Sequence, residues 1–288
     1  MPFSVQLGLL LALATALASV VGFLLKYRGA VDAPAVSWRR PVRSSLELFR
    51  SRTYTLGIIV ATGSWGLHVA ALSLAPISLV QSVIAGGLVL LTVVADRAFG
   101  LTVTPREWIG VALTAAGLAT LAATLHGTAD SAHAEWGAGT LALYAGLGVV
   151  AGTVLVPLAA RRPAREGIVL AVSAGLLWGA SDVSIKALSG RLDDLGAGVL
   201  LHPLALAILV LSLGGLLVSA RSLQLGPPVP VITATSATAN IFTIAAGPLV
   251  FREPMPDDPL GLALRLGAFA LVVGAAALTP PRMAAGPV

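Results

Sequence analysis

Polar residues in this chain fall in short clusters. Between them run apolar stretches of about twenty residues, the length that crosses a bilayer as a helix. Nine such stretches are predicted, near 5–25, 54–74, 76–95, 107–125, 137–160, 167–188, 198–220, 229–250 and 259–279. The second and third are parted only by Ala75-Pro76, and proline suits the first turn of the helix that follows. The pattern also repeats. Leu74-Ala75-Pro76 and Leu225-Gly226-Pro227 each open a stretch, Asp96-Arg97 and Arg252-Glu253 follow, and Gly110 and Gly261 open the next. The matching prolines (76 and 227) and glycines (110 and 261) are both 151 positions apart. The chain's only lysines, Lys26 and Lys186, each close the first stretch of one half.

Counting stretches gives the topology. Residues 1–127 hold four spans, 128–166 one linking span, and 167–288 four more. An even number of spans leaves two joined halves pointing the same way, so the extra span turns the second half over. The expected fold is an all-α membrane protein with nine transmembrane helices in a 4+1+4 inverted-topology repeat. Such repeats build two bundles that alternate access to a central site.

Composition agrees with a bilayer. Hydrophobic residues make up 57% of the 288, charged residues 11%, and the mean hydropathy is +0.92. A soluble domain of this size has too little charge here to cover its surface. The net charge of +5 would point to nucleic acid in a soluble chain, but here the basic residues sit at span ends. They read as topology signals and contacts to anionic headgroups, so no nucleic-acid partner is expected. With the N-terminus outside, fourteen Lys and Arg fall on the inner side and three on the outer. This places the C-terminus in the cytoplasm of an inner-membrane protein. The first stretch reads as a retained span, because Lys26 and Arg28 follow it rather than precede it. The basic loop 26–53, with Leu46, Leu48 and Phe49 among charges, reads as a segment lying on cytoplasmic headgroups. Without cysteine there is no disulfide framework or thiolate site. Gly148-x-x-x-Gly152 and Gly175-x-x-x-Gly179 allow close helix packing or a homodimer face.

Several segments resemble the drug/metabolite transporter superfamily, EamA-like branch. Trp178-Gly179-Ala180-Ser181-Asp182-Val183-Ser184-Ile185-Lys186 is similar to its W-G-x-x-x-x-x-x-K opening, and Leu74 to Gln81 to its fourth-helix entry. Phe251-Arg252-Glu253-Pro254 resembles its F-G-E-P turn, and Pro105 to Gly110 the stretch after the equivalent turn. That family usually has ten spans. Nine spans and a basic first loop are more similar to the NIPA-type magnesium transporters. The resemblance implies a non-enzymatic transporter.

Asp182 is the sharpest candidate, since an ionised side chain at bilayer centre costs about 2.5–3.5 kcal/mol and must face a wet cavity or a partner. It serves as a substrate or coupling site, able to carry a proton, or pairs with Lys186 one turn on. Lys26 lacks such an acid and reads as snorkelling to the interface. Gln81 and Asn240 need partners in lipid and are cavity or interhelix candidates. Trp65 and Tyr144 stack on a substrate or pack in the core, and Trp178, near a span centre as Trp65 is, is a further site candidate. His68 is a packed histidine or a proton relay. Spans one, two, three, six and eight are expected to line the cavity. Magnesium would want several carboxylates or carbonyls, and only Asp182 lies deep. The expected substrate is therefore a small organic solute, with a magnesium ion at Asp182, or a non-transporting scaffold, as alternatives. No zinc spacing, phosphate loop or catalytic pair is present, so no cofactor and no enzyme are expected.

Overall fold

The computed structural model describes residues 3–36, 41–85, 105, 108–110, 112, 113, 116, 117, 120, 136–253 and 255–277. Most of the 107–125 stretch, the far end of the 76–95 stretch, Trp38 and Asp96-Arg97 lie outside the described residues. The described elements are helical. They are α1 (Phe3–Val31), α2 (Pro41–Leu48), α3 (Arg52–Leu74), α4 (Ile77–Ala85), α5 (Ala138–Ala160), α6 (Glu166–Ser189), α7 (Pro203–Leu225), α8 (Pro228–Val250) and α9 (Pro259–Ala277).

The ends of these helices have local causes. Ser51 caps α3, its hydroxyl accepting from the Tyr54 amide at 3.3 Å. The seventh predicted stretch becomes helical at Pro203 rather than at 198. A 3-10 turn occupies Gly196–Leu201, and His202 caps the helix by accepting from the Leu204 amide. With proline at the first helical position, the boundary is sharp. Helix α1 runs on to Val31, past the expected end near residue 25.

Among the described residues, five helices are long and apolar enough to cross a membrane. They are Phe3–Val31, Arg52–Leu74, Ala138–Ala160, Pro163–Ser189 and Pro203–Leu225. Their outward faces are apolar: on α5, Leu143, Leu147, Val150, Val154 and Leu158 are all exposed. A continuous greasy face of that kind is suited to lipid and not to water.

Helix α6 is the hub. It packs along α5, α7 and α8, while α1 lies along α3 and also meets α4 and α7. Glycines bring these backbones together. A Cβ on Gly175 would stand 2.6 Å from the Thr235 carbonyl of α8, and one on Gly148 would stand 2.6 Å from the Phe242 ring. Ser173 donates to the Gly152 carbonyl at 2.7 Å. Both small-residue motifs are thus used inside the chain, α5 against α6 and α6 against α8.

Candidate functional site

A cavity of about 680 Å³ lies between α1, α3, α4, α6, α7 and α8. Five of these helices carry the expected lining. Helix α7 is an addition, contributing Ser212 and an apolar wall. Six of the seven candidate residues line it: Trp65, His68, Gln81, Trp178, Asp182 and Asn240.

Asp182 is the centre of this group. It stands on α6 with its side chain 19% exposed. One carboxylate oxygen lies 3.2 Å from His68 Nε2 of α3, and the other accepts from Gln81 Nε2 of α4 at 3.4 Å. The His68 contact is close but not aligned as a hydrogen bond, and neither ring nitrogen has an aligned partner. Asn240 Nδ2, on the α8 wall, is buried without a hydrogen-bond partner among the described residues. Two helices therefore deliver polar groups to a carboxylate on a third, and a fourth adds an amide to the same cavity. Two of these groups are already engaged with each other, and Asn240 Nδ2 remains to be satisfied by a ligand or its water. The indole of Trp178, one turn before Asp182, donates to the Ser212 carbonyl at 3.4 Å, which fixes the ring against α7. Trp65 is 47% exposed and presents a free face. Elsewhere on α8, Thr235 and Thr243 bond their own helix carbonyls.

The two lysines exchange the roles read from the sequence. Lys186 is absent from the cavity lining and does not pair with Asp182. Its Nζ is fully buried and donates to the Leu72 and Ala75 carbonyls at 2.8 and 2.9 Å. Lys26 does not snorkel. It is 4% exposed, lines the cavity, and holds its Nζ 4.1 Å from the Phe23 ring and 5.3 Å from that of Trp178. Tyr144 stacks on Phe242 and donates to its carbonyl, away from the cavity.

Glu253, read from the sequence only as part of the turn resembling F-G-E-P, was not a site candidate. It is buried, and its Oε1 accepts from the Ile77 amide at 2.8 Å. The turn between α3 and α4 is thus held by an ammonium on the C-terminal carbonyls of one helix and a carboxylate on the N-terminal amide of the next. Each charge-assisted bond of this kind is worth about 1.5–3 kcal/mol. Arg252, just before it, has φ 53°, the left-handed region where glycine is at ease. The signal for this was the resemblance to F-G-E-P, in which glycine precedes the acid. Glu253→Ala is expected to lower the thermal midpoint in detergent by the loss of about 2 kcal/mol, and Glu253→Gln by less, since an amide oxygen still accepts. Equal loss from both variants would rule out the hydrogen bond as the cause.

A polar-centred cavity enclosed by long apolar helices with lipid-compatible outer faces defines a multi-pass, all-α membrane protein. The chain is similar to a probable magnesium transporter of Arabidopsis thaliana, NIPA9, at 25% identity over 281 residues, 92% of this chain and 79% of the plant protein. No family model matches, and no solved structure matches.

Proposed function

We propose that this chain is a transporter that carries a cation across the membrane through the central cavity, with Asp182 as the residue that holds it. The contacts of His68 and Gln81 with the Asp182 carboxylate, in a cavity that Asn240 also lines, carry this reading. A half-buried acid with two polar neighbours, inside a lipid-facing shell, has no need to exist for packing alone. The similarity to the plant magnesium transporter supports magnesium as the cargo. Among the described residues there is no group of three His, Cys, Asp or Glu able to strip and ligate a metal ion. Magnesium gives up its water reluctantly, so a hydrated ion is the species that suits one carboxylate, two side-chain amides and several hydroxyls. A small organic cation is the second reading. It is favoured by the apolar walls and by Trp65, Trp178 and Phe23, whose faces attract positive charge.

The transport cycle is alternating access. In this reading residues 1–127 and 167–288 form two inverted halves joined by a linking span within 128–166, with the N-terminus outside and the basic loop 26–53 on anionic cytoplasmic headgroups. The Ala75 and Gly226 turns support the repeat, because both end a 23-residue helix with nearly equal dihedral angles, φ −142°, ψ 159° and φ −136°, ψ 161°.

Coupling follows from competition for Asp182. The His68 ring, 3.2 Å from an Asp182 carboxylate oxygen, is placed to exchange a proton with it, and an arriving cation competes with that exchange. His68→Gln keeps a polar neighbour of similar reach but cannot change charge. It is expected to retain cation flux in proteoliposomes while losing the opposing proton movement read by an internal pH dye. Undiminished proton movement would remove His68 from the cycle.

A further inference from the structure

Lys26 and Lys186 occupy matching places in the sequence and non-matching places in the fold. Lys186 closes α6 by clamping the turn between α3 and α4 through the Leu72 and Ala75 carbonyls. The residues 151 positions further on are Leu223 and Gly226, in the turn between α7 and α8. The two turns are alike in detail. Ala75 N–H donates to Ala71 O and Gly226 N–H to Ser222 O, and Val80 N–H and Val231 N–H return to Pro76 O and Pro227 O. Each is approached by the start of a long helix at a glycine, Gly8 beside Ala75 and Gly167 beside Gly226.

Helix α1 therefore begins at the first turn and travels away from it. Its far end reaches the second turn, where Val20 and Leu24 share a cluster with Leu223 and Val231. Helix α6 does the reverse, beginning at the second turn and ending, with Lys186, at the first. The clamp that Lys186 makes on the first turn has a counterpart on the second turn, at the far end of α1, that Lys26 does not make. Lys26 is buried and faces the cavity. Among the described residues its ammonium meets aromatic faces alone, without a hydrogen bond or ion pair. An ammonium has three donors, and those of Lys26 face the cavity. Ring faces recover about 0.5–2 kcal/mol, less than two charge-assisted bonds to carbonyls.

We propose that Lys26 is the second of two alternating clamps: in the opposite conformation its ammonium takes the Leu223 and Gly226 carbonyls while Lys186 lets go of Leu72 and Ala75. The proposal rests on the alternating-access reading above. In the state seen here the Lys186 bonds to its turn are made and the corresponding Lys26 bonds are not. Each lysine stabilises closure of its own end, so the two compete through one conformational equilibrium. The device needs no substrate contact from either lysine, although Lys26 enters the cavity whenever its clamp is open.

The chain contains no cysteine, so single reporters need no prior engineering. Ser189 lines the cavity near Lys186, and Ile58 lines it near Lys26. Ser189→Cys and Ile58→Cys are labelled separately in membrane vesicles with an impermeant maleimide applied to both faces. Lys186→Met is expected to raise labelling at position 189 and lower it at 58, each by roughly fivefold or more. Adding Lys26→Met to Lys186→Met is expected to reverse both changes. Lys186→Gln, which still donates to a carbonyl, gives a smaller shift in the same sense and replaces the methionine variant if that one does not fold. If Lys26→Met leaves labelling unchanged in the Lys186→Met background, the clamp is overturned. That holds also where Lys26→Met alters only the concentration dependence of transport, which would make Lys26 a contact for an anionic part of the cargo. If magnesium chloride shifts the two reporters in opposite senses but the lysine variants do not, the clamp fails and alternation stands. If nothing moves the reporters in opposite senses, both fail.

Discussion

Asp182→Asn is expected to reduce cation transport in proteoliposomes by roughly 30-fold or more, the equivalent of about 2 kcal/mol of lost binding, while leaving the protein folded. The substitution changes two or three atoms in a side chain that is 19% exposed to the cavity. Shape and the capacity to accept from Gln81 Nε2 are kept. What is lost is the negative charge, and with it the attraction for a cation and the partner of His68. A low-dielectric shell makes that charge count for more than it would in water. Two comparisons separate charge from packing. Asp182→Glu keeps the charge and is expected to retain part of the flux. Gln81→Ala removes a single 3.4 Å bond and is expected to weaken transport several-fold without abolishing it.

The second large effect is on stability. Gly175→Leu is expected to cost about 3 kcal/mol and to lower the thermal midpoint in detergent sharply. A Cβ at this position would stand 2.6 Å from the Thr235 carbonyl and 2.7 Å from the Thr238 Cβ. The first of these is backbone in the middle of α8, so it cannot swing aside as the tip of a long side chain would. Even Gly175→Ala forces α6 and α8 apart, with an intermediate loss expected. Because α6 carries Asp182 and α8 carries Asn240, the same change enlarges the cavity. Gly146, on α5, is the control, for a Cβ there meets nothing within 4 Å. Gly146→Ala is expected to be neutral or stabilising by up to about 1 kcal/mol, from helix propensity alone. Equal losses at 146 and 175 would mean that helix propensity and not close approach sets the cost.

What the sequence made legible was one-dimensional. Apolar runs of bilayer length foretold the long helices α1, α3 and α5 to α9, and proline and glycine foretold the turns at 75–76 and 226–227. Asp182 stood out because an acid inside an apolar run demands a reason. Gln81 and Asn240 stood out in the same way, and the structure brings all three to one cavity. What was not legible depends on which helix lies opposite. Lys26 and Lys186 have the same position in each half and the same flexible stem, so nothing local distinguishes them. Lys186 ends against the α3–α4 turn, and Lys26 ends over two aromatic rings, because the helices cross at different places. His68 was one histidine in an apolar run. Its closeness to Asp182 spans 114 residues of chain and leaves no periodic trace. Glu253 was hidden differently. It lies in a polar turn, where an acid needs no explanation, and only its bond to the Ile77 amide reveals a buried helix cap.

The cavity as a cation path is tested most directly by flux. The purified chain is reconstituted into liposomes holding a magnesium-sensitive dye, a concentration gradient of magnesium chloride is imposed, and the rate is compared with that of Asp182→Asn. A panel of small organic cations is run in parallel. The expected result is saturable entry of magnesium or of an organic cation that falls roughly 30-fold or more in the Asp182→Asn protein, with both proteins equally folded and equally inserted. Equal flux through the two proteins, or no saturable flux of any cation through the first, would contradict the account.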